Sequence, residues 1–170
     1  MNRFTKSLRS SVANSDWYVA LSTALTLPDV CGRLIDPTLP SSKRYPAWFR
    51  EWLEPKYTVD LPRGRRIFLS GEDCYALRCS YLHEGGGDIT QQKARKALED
   101  FHFIFPPGNG NSIHRNLYNN TLQLQVDKFC LEIADAVDAW AKSVADDADI
   151  QGRMASLLKI HIQAPGIVLL

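Results

Sequence analysis

Between Phe129 and Val144 the apolar residues fall at steps of three and four: Phe129, Cys130, Ile133, Ala134, Val137, Trp140, Ala141 and Val144. A stripe with that period is the buried face of an amphipathic helix, and it needs other helices to pack on it. The chain therefore has to build a helical core, and the remaining segments have to supply the partners. Asp127 stands ahead of the stripe as its expected cap, and the pattern fades at Asp146-Asp147-Ala148-Asp149. It reads as the longest helix of the chain. A last helix is expected over residues 150–160, carrying Met154, Leu157 and Leu158. The apolar tail Ile167-Val168-Leu169-Leu170 reads as docking on the body or on a partner.

The first third reads as helices punctuated by prolines. Phe4, Leu8 and Val12, then Trp17, Val19, Ala20 and Ala24, are spaced for apolar faces, with Asn14-Ser15-Asp16 as an interruption. Thr26-Leu27-Pro28-Asp29 predicts a new helix start: Thr26 caps, Pro28 sits in the first turn, and Asp29 replaces the usual glutamate of a capping box. That short helix would run over residues 30–35 and stop near Asp36-Pro37. Residues 40–46 read as a loop, residues 47–53 as one or two aromatic-rich turns ending at Pro55, and residues 56–69 as irregular.

Ser70-Gly71-Glu72-Asp73 is a second box-like start, with two acids at the positive end of the helix dipole. Cys74, Leu77, Tyr81 and Leu82 then form an inward face, and Gly85-Gly86-Gly87 ends the helix because glycine accepts the left-handed closing residue. Residues 91–100 read as a helical linker. Phe101-His102-Phe103-Ile104-Phe105 alternates as a strand, Pro106-Pro107-Gly108-Asn109-Gly110-Asn111 as a turn. Residues 113–118 and 122–126 alternate around Asn119-Asn120, whose side chains tolerate positive φ, so a hairpin is expected. These readings predict a mainly α fold, one domain over residues 1–170, with a small antiparallel sheet of about three strands inserted around residues 101–126.

Composition excludes several functions. Hydrophobic residues make up 45% and charged residues 23%, with a formal net charge of +1. A balance so near neutral cannot hold nucleic acid by global charge, so any polyanion site must be local. No apolar run follows Arg3, Lys6 and Arg9 to make a secretion signal, and no stretch approaches the roughly 18 apolar residues of a membrane span. A cytoplasmic protein with no membrane partner is expected. Cys31, Cys74, Cys79 and Cys130 form no close-spaced pair, which argues for free thiols and against a structural zinc site. No metal and no cofactor is expected. Trp17, Trp48, Trp52 and Trp140 read as core and interface anchors by their helical spacing.

Two features carry chemistry. Residues 43–66 hold seven basic residues (Lys43, Arg44, Arg50, Lys56, Arg63, Arg65, Arg66) against Glu51, Glu54 and Asp60. This stretch reads either as a solvated loop or as a phosphate-contacting surface in which Arg63, Arg65 and Arg66 bind RNA. The second is Arg78 with His83 on the Ser70 helix. An arginine on the inward stripe requires either a carboxylate, from Asp73 or elsewhere, or a cleft where it meets an anion. His83 lies five residues on, about 7.5 Å along the axis and about 140° round it, so the two meet within one helix only if the arginine swings. A second copy of the helix would otherwise supply the partner. In the last turn, free carbonyls favour a charged imidazole suited to acid–base work. His102 and His114 read as surface or hairpin positions.

Leu77-Arg78-Cys79-Ser80-Tyr81-Leu82-His83 resembles the Arg-x(4–6)-His signature of the HEPN superfamily. The surrounding Leu27-Pro28-Asp29-Val30-Cys31-Gly32, Ser70 to Arg78, and Phe129-Cys130 leading to Trp140 resemble bacterial and phage-associated HEPN-like proteins of unknown role. The likeness covers much of residues 15–145. It implies a HEPN-like helical bundle acting as a metal-independent endoribonuclease in phage defence or stress response. Arg78 and His83 would be its catalytic residues, RNA its substrate and a homodimer its working form. Arg78 would neutralise the scissile phosphate, and His83 would shuttle a proton during attack by the 2′-hydroxyl. Two departures stand out. Cys79 occupies a position that is often polar in nuclease members, and Gly85 stands where the branch with a nucleotidyltransferase antitoxin has tyrosine. They leave a non-catalytic HEPN-like module that binds RNA, nucleotide or protein as the alternative.

Overall fold

The computed structural model describes residues 1–108 and 111–160, so the apolar tail and part of the turn at 106–111 lie outside the described residues. The protein is mainly helical, with two small sheets. Helix α1 (Asn2–Ala13) ends at the expected interruption, where Ser15 takes a φ of 59° and turns the chain into α2 (Trp17–Ile35). Contrary to the expected restart at Thr26, α2 is continuous. Thr26 caps nothing and returns its hydroxyl to the Thr23 carbonyl, and Pro28 lies inside the helix. An interior proline costs about 3 kcal/mol. Burial of Leu21, Leu25, Leu27, Cys31 and Leu34 along the same helix outweighs it.

Helix α3 (Ser41–Trp52) likewise begins within the stretch expected to be loop, and contains Pro46. Helices α2 and α3 cross closely: a Cβ on Gly32 would lie 2.9 Å from the Arg44 carbonyl oxygen. A Cβ on Gly71 would lie 2.6 Å from the Pro46 carbonyl oxygen, so α3 and the next helix, α4 (Gly71–Glu84), are equally close. Ser70 caps α4 as expected, accepting from the Asp73 N–H at 3.1 Å, and Gly85 closes it at φ 73°. Helices α5 (Val126–Ser143) and α6 (Ala148–Ala155) complete the set, with α5 packed on α1 and α2. Gln125 rather than Asp127 is the N-cap of α5, and Asp147 caps α6 through the Ile150 N–H. Since Pro28 does not divide it, α2 and not α5 is the longest described helix.

The core runs through these helices, with Leu8, Leu25, Phe49, Leu77, Phe129 and Trp140 all at 2% exposure or less. Trp48 is also buried, and Trp17 and Trp52 pack against the core, which suits anchors better than exposed platforms. All four cysteines are free, and only Cys79 is partly exposed. Burial raises the Cys74 and Cys130 thiols to about 12. Among the described residues no helix is long and apolar enough to cross a membrane.

The strands depart most from expectation. Residues 56–69 are ordered: a 3-10 turn, Glu54–Tyr57, leads into an antiparallel hairpin of β1 (Thr58–Leu61) and β2 (Gly64–Ile67). Gly64 has φ 118°, a conformation that an L side chain seldom adopts, and it lets the chain reverse after Pro62-Arg63. The second sheet comprises β3 (Asp100–Ile104), β4 (Asn116–Tyr118) and β5 (Thr121–Gln125), in the order β3-β5-β4. The β4–β5 hairpin turns at Asn119-Asn120 as expected, with Asn119 at φ 51°. The sheet is mixed rather than antiparallel, because β3 pairs parallel to β5. Residues 105–120 are long enough to return the chain to the end where β3 began.

The helical linker is also absent. Residues 91–99 are turns, fixed by one buried carboxylate. Asp73, 2% exposed, accepts the backbone N–H groups of Lys96, Ala97 and Leu98 on Oδ1 (2.6, 3.0 and 3.3 Å), and the Ser70 hydroxyl on Oδ2. These three donors converge on a single oxygen, and that convergence replaces a helical ladder.

Candidate functional site

Arg78 projects from α4 into the junction with α2 and α3. Its carboxylate partner is Asp29, on α2. Asp29 does not serve a capping box; it anchors α3, accepting Ser41 Oγ at 2.7 Å and Arg44 Nε at 2.8 Å on Oδ1, and Arg44 Nη2 at 3.2 Å on Oδ2. Arg78 Nη2 stands 4.0 Å from that same Oδ2, and Nη1 lies 4.0 Å from Cys79 Sγ. One carboxylate thus faces two guanidinium groups, and the fork geometry goes to Arg44. The Arg78 side chain is 21% exposed, and its Nε is buried without a hydrogen-bond partner.

His83 is exposed in the last turn of α4 and makes no hydrogen bond or ion pair with a described residue. Within one chain the structure does not bring it together with Arg78: one is drawn to the interhelical junction and the other stands in solvent. That is the outcome expected of five residues on one helix.

Arg63, Arg65 and Arg66 surround the turn of the β1–β2 hairpin. All three are exposed, and none forms an ion pair among the described residues. Arg66 lies over the Phe68 ring at 5.4 Å. Strand alternation sends Arg65, opposite Asp60, and Arg66, opposite Val59, to opposite faces. The three guanidinium groups therefore form a charged tip rather than one flat patch. The rest of the basic stretch is partly neutralised, Arg44 by Asp29 and Arg50 by Glu72 at 2.6 Å.

A further polar cluster was not legible from spacing. His114, read as a surface or hairpin position, lies just before β4 with its side chain only 8% exposed. Its Nδ1 accepts the Gln125 N–H at 3.2 Å, which assigns the ring proton to Nε2, 3.3 Å from Glu132 Oε2. The same oxygen accepts the Tyr57 hydroxyl at 2.5 Å, and Arg115 Nη2 donates to Glu132 Oε1 while its guanidinium lies 5.1 Å from the centre of the Tyr57 ring. Burial opposes ionisation of Glu132. The bonds from His114 and Tyr57 and the charge of Arg115 together outweigh it and hold the carboxyl below its ordinary value. Burial, with the Glu132 charge next, pushes the Tyr57 phenol well up. Both nitrogens of His114 are occupied, so the cluster braces the turn before β1 and the entry to β4 against α5; it offers no free base. Arg115 takes a positive φ of 61° to reach Glu132. No signal in the sequence joins these four residues, since 75 residues of chain separate Tyr57 from Glu132.

Comparison with protein-family models, curated proteins and solved structures gives no match.

Proposed function

We propose that this protein is a non-catalytic, HEPN-like module that binds RNA, with the hairpin arginines on the phosphate backbone. The observation that carries the reading is the contrast between two sets of arginines. Arg63, Arg65 and Arg66 are exposed and without ion-pair partners among the described residues, whereas Arg78 is drawn to Asp29, away from His83. A polyanion offers the hairpin tip the charges it lacks, and a locally basic element suits a chain whose net charge is close to zero. The choice of RNA follows the HEPN resemblance. Binding measured across a salt series tests it. Three phosphate contacts on single-stranded RNA predict a slope of log K against log salt of about −2. Replacing Arg63, Arg65 and Arg66 together with alanine should remove most of that slope; an unchanged slope would refute the assignment.

A second reading, the metal-independent endoribonuclease acting as a homodimer, draws on one specific observation. Two guanidinium groups share the Asp29 carboxylate, leaving a positive excess and an unpartnered Arg78 Nε. A phosphate at that junction would satisfy both, and His83 from a second copy would supply the proton shuttle. Cleavage of RNA in EDTA, lost in folded Arg78→Ala and His83→Ala proteins alike, would establish it. Cleavage that survives His83→Ala would exclude it.

A further inference from the structure

The solvent face of the three-stranded sheet has an unusual set of side chains. Alternation turns Phe101, Leu122 and Leu124 to the core and leaves a row of His102, Gln123 and Asn116 beside a row of Asp100, Thr121 and Tyr118. Tyr118 is 70% exposed, and the His102 side chain is 59% exposed. The one charged group in these rows, Asp100, is committed: its carboxylate lies 3.3 Å from His102 Nε2 and accepts the Phe101 N–H at 2.7 Å. Asn116 Nδ2 donates to Gln123 Oε1 at 2.5 Å. That bond orients the two amides and leaves the Asn116 Oδ1 acceptor and the Gln123 Nε2 donor without a partner among the described residues.

We infer that this sheet face, through Tyr118, His102 and the Asn116–Gln123 amide pair, is a stacking platform for the unpaired bases of single-stranded RNA. The inference rests on the RNA-binding reading and adds the class of RNA. Exposed rings on an open sheet provide flat apolar surface to a base, as in single-strand binders generally. A paired donor and acceptor match the mixed edge that every unpaired base presents. The rows carry no lysine or arginine, so they suit the uncharged base and not the phosphate. The arginine hairpin is rooted at the edge of this sheet. Tyr57, the residue before β1, has its ring 5.1 Å from the guanidinium of Arg115, the residue before β4. The root of the arginine hairpin and the edge of the sheet are thus in contact. Duplex RNA keeps its bases stacked away from such a face.

The test compares a fluorescein-labelled single-stranded RNA of about 12 nucleotides with a duplex of the same length, and maps cross-links from the same strand carrying 4-thiouridine. The single strand should bind more tightly, with cross-links on the peptides that contain Tyr118 and His102. Tyr118→Ala and His102→Ala should each weaken single-strand binding by about tenfold without changing the salt slope, and Tyr118→Phe should restore it. Both positions are exposed, and far-UV circular dichroism checks that the variants fold. If single strand and duplex bind equally, and Tyr118→Ala changes nothing, the platform is wrong while the hairpin reading stands. If the intact protein binds neither RNA, both are wrong.

Discussion

Asp73 and Glu132 each organise their surroundings through a single carboxylate, in different ways. Asp73 gathers three backbone N–H groups from residues 96–98 and the Ser70 hydroxyl onto a carboxylate that is itself 2% exposed. Its replacement by asparagine keeps the size and removes the charge. The protein should then lose on the order of 2–4 kcal/mol in urea unfolding, and a loss under about 1 kcal/mol would contradict the role given to it. Glu132 makes a prediction about pH. Its folded value is lowered, so its stabilising contribution is complete above the unfolded value near 4.3 and is lost as pH falls through the folded one. The stability difference between the native protein and Glu132→Gln should therefore shrink as pH falls below about 4.3. A difference that stays constant or grows on acidification would remove Glu132 from the account. Of these residues, Asp73 was half legible: the Ser70 cap is a local pattern, but the turns that it fixes lie more than twenty residues ahead. Arg78 shows the same division. The need for a carboxylate or an anion follows from its place on a buried stripe, whereas its partner Asp29 lies two helices away and imitates a capping residue.

At the level of elements, the Asp29 junction joins α2, α3 and α4 where Gly32 and Gly71 let the backbones approach. Asp29→Ala would leave two part-buried guanidinium groups facing each other and should cost about 3–5 kcal/mol. Arg78→Met, which relieves the excess charge and keeps the packing, should cost no more than about 1 kcal/mol. Chemical denaturation of both variants reads the difference, and a larger loss at Arg78 would make that residue the principal brace. The buried stripe of α5 was readable, and so were the cap and glycine end of α4, although Tyr81 and Leu82, expected inward, are only half-buried. Misreadings arose where local chemistry met a stronger distant force. Pro28 signals a helix start, yet the packing of α2 carries the helix through it. The β1–β2 hairpin has no alternation to read because nearly every residue on both its faces is exposed. The parallel pairing of β3 follows from the anchoring of residues 96–98 and the long return over residues 105–120, and neither feature resides in the strand itself.

Across the whole molecule, the helical core presents two surfaces that the balance of charges conceals. One is a hairpin whose exposed arginines form no ion pair among the described residues, and the other is a sheet face that exposes Tyr118 and His102. The Tyr57–Glu132 cluster holds the bases of both together, so loosening it should impair RNA binding without touching a contact residue. Tyr57→Phe, which removes the hydroxyl bonded to Glu132, should lower affinity by a few-fold, about 1 kcal/mol, and leave the salt slope as it was. An affinity equal to that of the native protein would uncouple the cluster from the surface. The most direct test of the account is the salt titration of a labelled single-stranded RNA against the intact protein and its Arg63→Ala, Arg65→Ala, Arg66→Ala variant. The account predicts a clear dependence in the first, with a slope of about −2, and an almost flat one in the second. Equal slopes in the two proteins would contradict it.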